Sequence, residues 1–244
     1  MHLIRKHWQR LNRSWGRRFR EWRLPRGYRR LGTRYGGWWM DCTLVSQVPL
    51  LVDCGLGEDI SFPSAFLARF GGRVIGVEPN PRSLAFCQQH CPTGMEIRPC
   101  AFWKTSGEFL TFHLPRDQAQ LPKGADGVSG SLVGTHAYVS GGQRLTVSTL
   151  SLAALLTDAG REECDVLKLD IEGAEYEVLG ALCSSGEIRR TRQLLIEFHH
   201  RATHHTAEET SACIRDIEAT GFKLIYVESR NHIFRRCEVG PRAT

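Results

Sequence analysis

The side chains that could do chemistry are densest in the segment D-I-E-G-A-E, which begins at Asp170. It holds three carboxylates, those of Asp170, Glu172 and Glu175, and follows an apolar run typical of a buried parallel strand. Carboxylates at the end of such a strand could bind the amino-acid end of a cofactor, take up a proton or hold a metal ion. Glu175 alone could instead be a capping residue, because an acid in the first turn complements the helix dipole.

A histidine, His199, ends the next strand-like apolar run and is expected at the same edge of the sheet. We assign His199 as a general base, with Asp170 or Glu172 orienting it or the bound substrate. It could also be a purely structural histidine. A metal site formed by these three residues is a further alternative, because oxygen and nitrogen ligands suit Mg, Mn or Zn. The assignment that we adopt contains no metal.

Two glycines follow the first buried run, in V-D-C-G-L-G-E-D from Val52 to Asp59. Gly55 and Gly57 allow a tight turn and a close approach of the backbone to a ligand. Asp53, at the strand end, could bind an ammonium group or a nearby water. Taken alone, the same pattern could be an ordinary turn between a strand and a helix.

Another acid, Glu78, ends the next strand about 20 residues further on, where it can hydrogen-bond both hydroxyls of a ribose. Dinucleotide-binding loops carry a third glycine, in G-x-G-x-x-G, but here that position is Ile60. The pattern therefore favours S-adenosylmethionine over NAD as the nucleoside ligand. Ala101, which follows the third strand, is predicted to contact the same ligand.

All these residues lie at the ends of predicted elements that alternate between strand and helix. This alternation predicts a parallel sheet with helices on both faces and ligands beyond the carboxyl ends of its strands. A final antiparallel strand would make the sheet mixed. The predicted strands are Pro49–Cys54, Val74–Val77, Met95–Cys100, Glu108–His113, Leu145–Ser148, Asp165–Asp170, Gln193–Phe198, Phe222–Val227 and His232–Arg236. The predicted helices are Ser61–Phe70, Pro81–Cys91, Leu150–Thr157, Ala174–Cys183 and Ala207–Thr220.

Residues 115–143, rich in Gly, Ser and Pro, are predicted to form one long mobile loop over the site. Together with Trp38 and Trp39, this loop would close the site and exclude water.

Four blocks of sequence resemble the FkbM family of methyltransferases. They are the G-x-G near Val52, V-I-G-V-E-P-N-P at Val74–Pro81, K-L-D-I-E-G-A-E at Lys168–Glu175 and L-I-E-F-H at Leu195–His199. The resemblance covers roughly residues 48–228 and implies an α/β fold, the class I methyltransferase (Rossmann-like) type, with a mixed seven-stranded sheet. It also implies S-adenosylmethionine as cofactor and O-methylation of a hydroxyl on a sugar, glycolipid or natural product.

Carried over residue by residue, the resemblance places Asp53, Gly55 and Gly57 in the cofactor loop. Glu78 would bind the ribose, and Asp170 would lie beside both the methionine moiety and the acceptor. The chain departs from the family at two positions. Its first loop is D-C-G-L-G-E-D where the family commonly has D-x-G-A-N-x-G, and Thr149-Leu150-Ser151 stands where T-L-D is frequent.

The charge is unevenly distributed along the chain. The formal net charge is +6, but residues 1–35 contain twelve Lys or Arg and one Glu, so the remainder is acidic. Aromatic residues recur at helical spacing in this segment, at Trp8, Trp15, Phe19 and Trp22. This spacing predicts a basic amphipathic arm over residues 1–35, with its helix ending near Pro25. The methyltransferase domain is predicted to follow over residues 36–244. The apolar face of the arm could pack on the domain or bind an anionic membrane. We predict membrane binding and no specific nucleic-acid partner, since no RNA-binding motif follows.

Two other classes of function stay open, a nicotinamide-dependent oxidoreductase on a similar sheet and a non-catalytic binding module that uses the arm. No run approaches the roughly 20 apolar residues of a membrane span, and the N-terminus lacks the apolar core of a secretory signal. The nine cysteines include no C-x-x-C pair, which predicts a reducing compartment, the cytoplasm, with peripheral membrane contact through the arm.

Overall fold

A computed structural model of the protein describes residues 24–121 and 127–237. Its strands are β1 Tyr28–Leu31, β2 Trp38–Asp41, β3 Leu50–Cys54, β4 Arg73–Val77, β5 Met95–Arg98, β6 Ala101–Phe102, β7 Phe109–Pro115, β8 Val139–Leu150, β9 Cys164–Leu169, β10 Thr191–Glu197, β11 Phe222–Glu228 and β12 Asn231–Arg236. Its helices are α1 Ser61–Phe70, α2 Pro81–His90, α3 Leu152–Asp158, α4 Glu175–Ser185 and α5 Ala207–Ala219, with 3-10 turns at Gln118–Gln120 and Glu187–Arg190.

The central sheet has seven strands in the order β5-β4-β3-β9-β10-β12-β11. The first five strands in this order run parallel to one another, whereas β12 is antiparallel to both of its neighbours, β10 and β11. This arrangement confirms the predicted mixed seven-stranded sheet. The direction of winding reverses between β3 and β9, and in open α/β sheets ligands bind at such a switch point.

Both faces of the sheet are covered, because the side chains of each strand alternate between them. Leu50 and Val52 of β3 belong to the core on the face that holds α3, α4 and α5. Leu51 between them packs on the other face with Phe62 and Phe66 of α1 and with the β1–β2 hairpin. The prediction of helices on both faces is therefore confirmed.

The β1–β2 hairpin corrects the predicted boundary of the arm. Tyr28 and Leu31, assigned to the arm, are buried in the core below α1. The hairpin is also tied to the sheet, since Gln193 of β10 bonds both the N–H of Asp41 (2.7 Å) and its carbonyl (3.0 Å). The domain thus includes residues that the sequence assigned to the arm. The aromatic face of the arm, Trp8, Trp15, Phe19 and Trp22, lies outside the described residues.

A second sheet, in the order β6-β8-β7, corrects the prediction for residues 108–148. The strand expected at Glu108–His113 pairs with β8 outside the central sheet, and β8 is much longer than the predicted strand Leu145–Ser148. The loop between β7 and β8 is correspondingly shorter than 115–143, and its described part is anchored. Ala137 N–H donates to the carbonyl of Ala202 at 2.6 Å, and residues 113 and 131 are bridged through their backbones.

One departure from the family has a local explanation. The hydroxyl of Ser151 caps α3 by accepting a hydrogen bond from the N–H of Ala154 at 3.3 Å. Ser and Asp are about equally good N-caps, so a serine here can do what an aspartate would do for the helix. Within the described part of the chain, no helix is both long and apolar enough to cross a membrane.

The start of β3 is held by one buried carboxylate. Asp165 accepts hydrogen bonds from the N–H of Ser46 (2.6 Å), its hydroxyl (3.0 Å) and the N–H of Leu50 (2.8 Å). Replacing Asp165 by Ala leaves the buried N–H of Leu50 and two half-buried donors of Ser46 without this acceptor, so we expect the free energy of unfolding to fall by roughly 1–3 kcal/mol. Urea denaturation measures this loss. The exposed Asp216 provides a matched control, because Asp216→Ala should change stability little; equal effects of the two substitutions would contradict the anchoring role.

Candidate active site

A cleft of about 620 Å³ opens at the carboxyl ends of β3, β4, β9 and β10. It is lined by the loop after β3, the end of β4, the segment between β9 and α4, the end of β10, the β11–β12 turn and part of the β7–β8 loop. Its size is in the range of small-molecule sites. The position is the one expected from the switch in strand order.

The glycine loop forms one wall of the cleft. Gly55 has φ +83°, and a Cβ added there would lie 1.8 Å from the carbonyl oxygen of Asp170, so no other residue fits. Gly57 has φ +56°, but a Cβ there would meet nothing within 4 Å. Gly55 is thus required for packing, whereas Gly57 keeps space open beside the loop.

Glu78 organises this loop from the end of β4. Its Oε2 accepts hydrogen bonds from the N–H groups of Leu56 (2.9 Å) and Gly57 (3.0 Å), and its Oε1 accepts one from the N–H of Asn80 (2.8 Å). Burial raises the pKa of Glu78 although these bonds oppose the shift. A carboxylate has about four acceptor positions, so Glu78 keeps capacity for a ligand hydroxyl in the cleft that it lines.

A buried lysine holds the other side of the loop. Lys168 Nζ donates to the carbonyl of Gly55 at 2.5 Å and lies 3.1 Å from Asp53 Oδ1 and 3.7 Å from Asp170 Oδ2. Burial lowers the pKa of Lys168, but the two carboxylates outweigh it and raise the pKa above its usual value. Lys168 therefore stays charged. Sequence reasoning did not single it out, although it lies in K-L-D-I-E-G-A-E.

The predicted ligand contact by Asp53 is corrected by this arrangement. Its side chain is buried beneath the loop and is not among the residues that line the cleft. Its carboxylate pairs with Lys168, which holds the loop, so the geometry gives Asp53 a role in positioning the loop. Ala101, by contrast, lines the cleft as expected.

His199 lies behind the acidic wall of the cleft. Its backbone N–H donates to Glu175 Oε1 (2.8 Å), and its ring Nδ1 lies 3.1 Å from the same oxygen. The other oxygen of Glu175 accepts from the N–H of Gly173 at 2.8 Å. Glu175 is fully buried, and these bonds make it the support of His199 and not a helix cap.

The second ring nitrogen of His199 faces three further carboxylates. Nε2 lies 3.2 Å from Glu172 Oε2, 3.6 Å from Asp170 Oδ1 and 3.7 Å from Glu197 Oε1. Burial lowers the pKa of His199, but Glu172 and Glu175 outweigh it, and the pKa lies well above its usual value. A protonated imidazole cannot accept a proton, and His199 does not line the cleft. The prediction of His199 as a general base does not fit this geometry.

Asp170 and Glu172 do line the cleft, beside each other as the sequence suggested. Glu172 has an unusual positive φ of 52°. Burial favours the neutral form of Glu172, but His199 and His136 outweigh it and lower the pKa to about 2. The pKa of Asp170 is raised by burial in spite of Lys168.

Glu197, at the end of β10, completes the acidic wall and was not predicted as a site residue. Burial, followed by the charge of Asp170, raises the pKa of Glu197 to about 7. Arg230, in the β11–β12 turn, lies 2.5 Å from its Oε1. The signal for Glu197 was its place at a strand end two residues before His199. Arg230 had no sequence signal, because its approach depends on β12 lying next to β10.

The two tryptophans and the loop that were predicted to close the site differ in their positions. Trp38 lines the cleft from the β1–β2 hairpin, and Trp39 packs edge-on against Tyr226 with ring centroids 6.0 Å apart. The described part of the loop that was predicted to be mobile contacts the cofactor side of the cleft, since Asn80 Nδ2 donates to the carbonyl of Val128 at 3.1 Å.

Comparison with solved structures finds methyltransferases at low sequence identity. A fibrillarin/Nop5p complex aligns with 12% identity and a TM-score of 0.41, over 78% of this chain and 72% of that one. An rRNA methylase from Streptococcus thermophilus aligns with 10% identity and a TM-score of 0.42, over 80% and 91%. A METTL16 methyltransferase domain aligns with 8% identity and a TM-score of 0.40, over 77% of this chain and 59% of that one. Similarity at this level concerns the fold alone.

No curated protein sequence matches the chain. Residues 53–229, more than half of the chain, match the methyltransferase FkbM domain. The matched region begins at the acid before the glycine loop and ends in the β11–β12 turn, so it contains most of the residues that line the cleft; the β1–β2 hairpin, which also lines it, lies outside the match. The chain therefore belongs to the FkbM family of methyltransferases, whose cofactor is S-adenosylmethionine.

Proposed function

We propose that the protein transfers a methyl group from S-adenosylmethionine to a hydroxyl of a sugar, glycolipid or natural-product acceptor. The observation that carries the proposal is the pairing of two walls in one cleft. One wall is the glycine loop with Glu78, and the other is the row of carboxylates of Asp170, Glu172 and Glu197.

The cofactor wall fits a nucleoside. Gly57 leaves open space where a side chain would stand, and Glu78 has acceptor capacity beside it. We assign the Gly55–Gly57 loop, Glu78 and Ala101 to cofactor binding, with Asp170 next to the reacting end. When bound, S-adenosylmethionine supplies an electrophilic methyl group.

The carboxylate wall fits the acceptor. A hydroxyl is a weak nucleophile until its proton is removed, so a positioned base is needed. Glu197 suits this role, because Arg230 holds its Oε1 while its Oε2 makes no hydrogen bond or ion pair with the residues described here. In this proposal the acceptor proton passes to Glu197 as the oxygen takes the methyl group. Phe112 and Tyr138 add aromatic surface to the same cleft.

The two other classes of function are less well supported. A dinucleotide loop needs a third glycine, but Ile60 at that position is buried against Leu56 and Cys87. A binding module without catalysis would not require four carboxylates crowded about His199.

The first test concerns the cofactor. Glu78→Gln replaces one acceptor oxygen by an amide donor opposite backbone N–H groups, so we expect S-adenosylhomocysteine binding to weaken by about 1.5–3 kcal/mol. Isothermal titration calorimetry measures this change, with the exposed Glu208→Gln as control. Unchanged affinity in Glu78→Gln would refute the role of Glu78, and no binding to the wild-type protein would refute the proposed function.

The second test separates Glu197 from cofactor binding. Loss of a general base lowers turnover by about 10²–10⁴, so Glu197→Gln should lose kcat in this range and keep its affinity for S-adenosylhomocysteine. Methyl transfer to a panel of hydroxylated acceptors measures kcat, again with Glu208→Gln as control. Wild-type turnover in Glu197→Gln would remove Glu197 from the mechanism.

We also propose that the basic arm binds anionic membranes on the cytoplasmic side, close to a lipid-linked acceptor. The twelve basic residues among positions 1–35, eight of them at positions 1–23, are set against an acidic remainder and support this partner. Each Lys or Arg near the surface contributes about 1 kcal/mol, a contribution that salt screens.

Liposome co-sedimentation tests the arm. The matched truncation removes residues 1–23 only, because Tyr28 and Leu31 belong to the core. Full-length protein should pellet with phosphatidylserine vesicles at low salt and be released at high salt, whereas the truncated protein should stay in solution. Equal pelleting of both proteins would argue against membrane binding by the arm.

A further inference from the structure

We propose that Asp170, Glu172 and His199 form a binding site for a divalent cation in the wall of the cleft. The ligand atoms that these residues offer all lie within 4.8 Å of one another. They are two carboxylate oxygens and one imidazole nitrogen, a mixed donor set suited to first-row divalent ions. The site is distinct from the nucleoside wall formed by the glycine loop and Glu78.

The imidazole is held as metal-binding histidines are. Glu175 Oε1 lies 3.1 Å from Nδ1 of His199 and also accepts the backbone N–H of the same residue. A carboxylate on one ring nitrogen fixes the ring and directs the other nitrogen to the ion, which would replace the proton on that nitrogen. Here that other nitrogen, Nε2, is the one that faces Asp170 and Glu172.

A second buried histidine points independently into the same place. His136 is 2% exposed. Its Nδ1 accepts a hydrogen bond from the N–H of Tyr138 at 3.2 Å, which leaves Nε2 as the ring nitrogen that can donate. That nitrogen lies 2.9 Å from Glu172 Oε2 but makes no hydrogen bond of acceptable angle. His136 is therefore a buried donor without an aligned partner, directed at the proposed ligand Glu172.

The charge balance also calls for a cation. Within the part of the chain that the structure describes, four carboxylates surround the His199 ring, those of Asp170, Glu172, Glu175 and Glu197. The permanent cations nearby are shared with other groups, since Lys168 pairs with Asp53 and Arg230 pairs with Glu197. Like charges at such distances repel strongly away from bulk water, and a divalent ion between them would relieve this repulsion.

The open side of the site faces the cleft, because Asp170 and Glu172 line it and His199 lies behind them. An ion held by three protein ligands keeps positions for an oxygen of the acceptor, which it would orient and make easier to deprotonate. This role rests on the proposed function, with Glu197 beside the ion as the group that takes the proton. Binding of the ion itself does not depend on methyl transfer.

Mn²⁺ is the probe, because both carboxylate and imidazole ligands accept it and its free form is visible by electron paramagnetic resonance. Full-length protein is stripped with EDTA and titrated with Mn²⁺. We expect one Mn²⁺ per chain, with affinity reduced more than about tenfold in Asp170→Asn and in His199→Gln. Glu228→Gln removes a carboxylate of the same cleft that lies outside the site, and should bind Mn²⁺ as the wild-type protein does. Circular dichroism verifies that each variant is folded.

Absence of stoichiometric Mn²⁺ binding, or an equal loss in Glu228→Gln, would overturn the metal site. Mn²⁺ binding without methyl transfer to any acceptor would support the site while counting against the proposed function. Methyl transfer that proceeds undiminished in EDTA would overturn the role of the ion in holding the acceptor.

Discussion

A buried ammonium group joins the two strands between which the ligand cleft opens. Lys168 projects from β9 and bonds the carbonyl of Gly55 after β3, while its charge is balanced by Asp53 and Asp170. A buried charge is tolerated only when it is paired and hydrogen-bonded. Because Lys168 satisfies this condition with groups from both strands, the glycine loop and the D-I-E-G-A-E segment are held in one fixed relation. The contact of Gly55 with the carbonyl of Asp170, which leaves no room for a Cβ, belongs to the same junction.

The negative charge of the acidic wall is compensated by basic side chains from other elements of the fold. Glu172 stays charged because two histidines flank it, and Arg230 contacts Glu197 from the β11–β12 turn. His136 comes from the β7–β8 loop, so the described part of this loop contributes a side chain to the acidic wall. The hydroxyl of Ser131 donates to the carbonyl of Glu172 at 2.6 Å and ties the two segments together. A carboxylate cluster of this density needs cationic neighbours from several directions.

Local patterns were sufficient for much of the fold. Apolar runs of strand length, separated by helical segments, predicted the seven strands of the central sheet and the five helices within a few residues. The reason is that buried parallel strands read as continuous apolar runs. The β1–β2 hairpin was missed because its strands have only four residues each, and the first of them lies in a segment whose basic residues hide its two buried side chains. The second sheet was missed because the pairing of β7 with β8 joins residues about thirty positions apart.

The sequence by itself determined which carboxylates and glycines gather at the switch point, because residues at the carboxyl ends of parallel strands necessarily lie along one edge of the sheet. Gly55, Glu78, Asp170 and Glu172 could be placed in this way. Only the tertiary structure decided what each group can do. His199 was assigned as a base from its position, but four surrounding carboxylates make it a cation or a ligand. Asp53 was assigned to cofactor binding, but its carboxylate forms an ion pair with Lys168. Protonation and access depend on neighbours brought in by distant segments, and no local pattern records those neighbours.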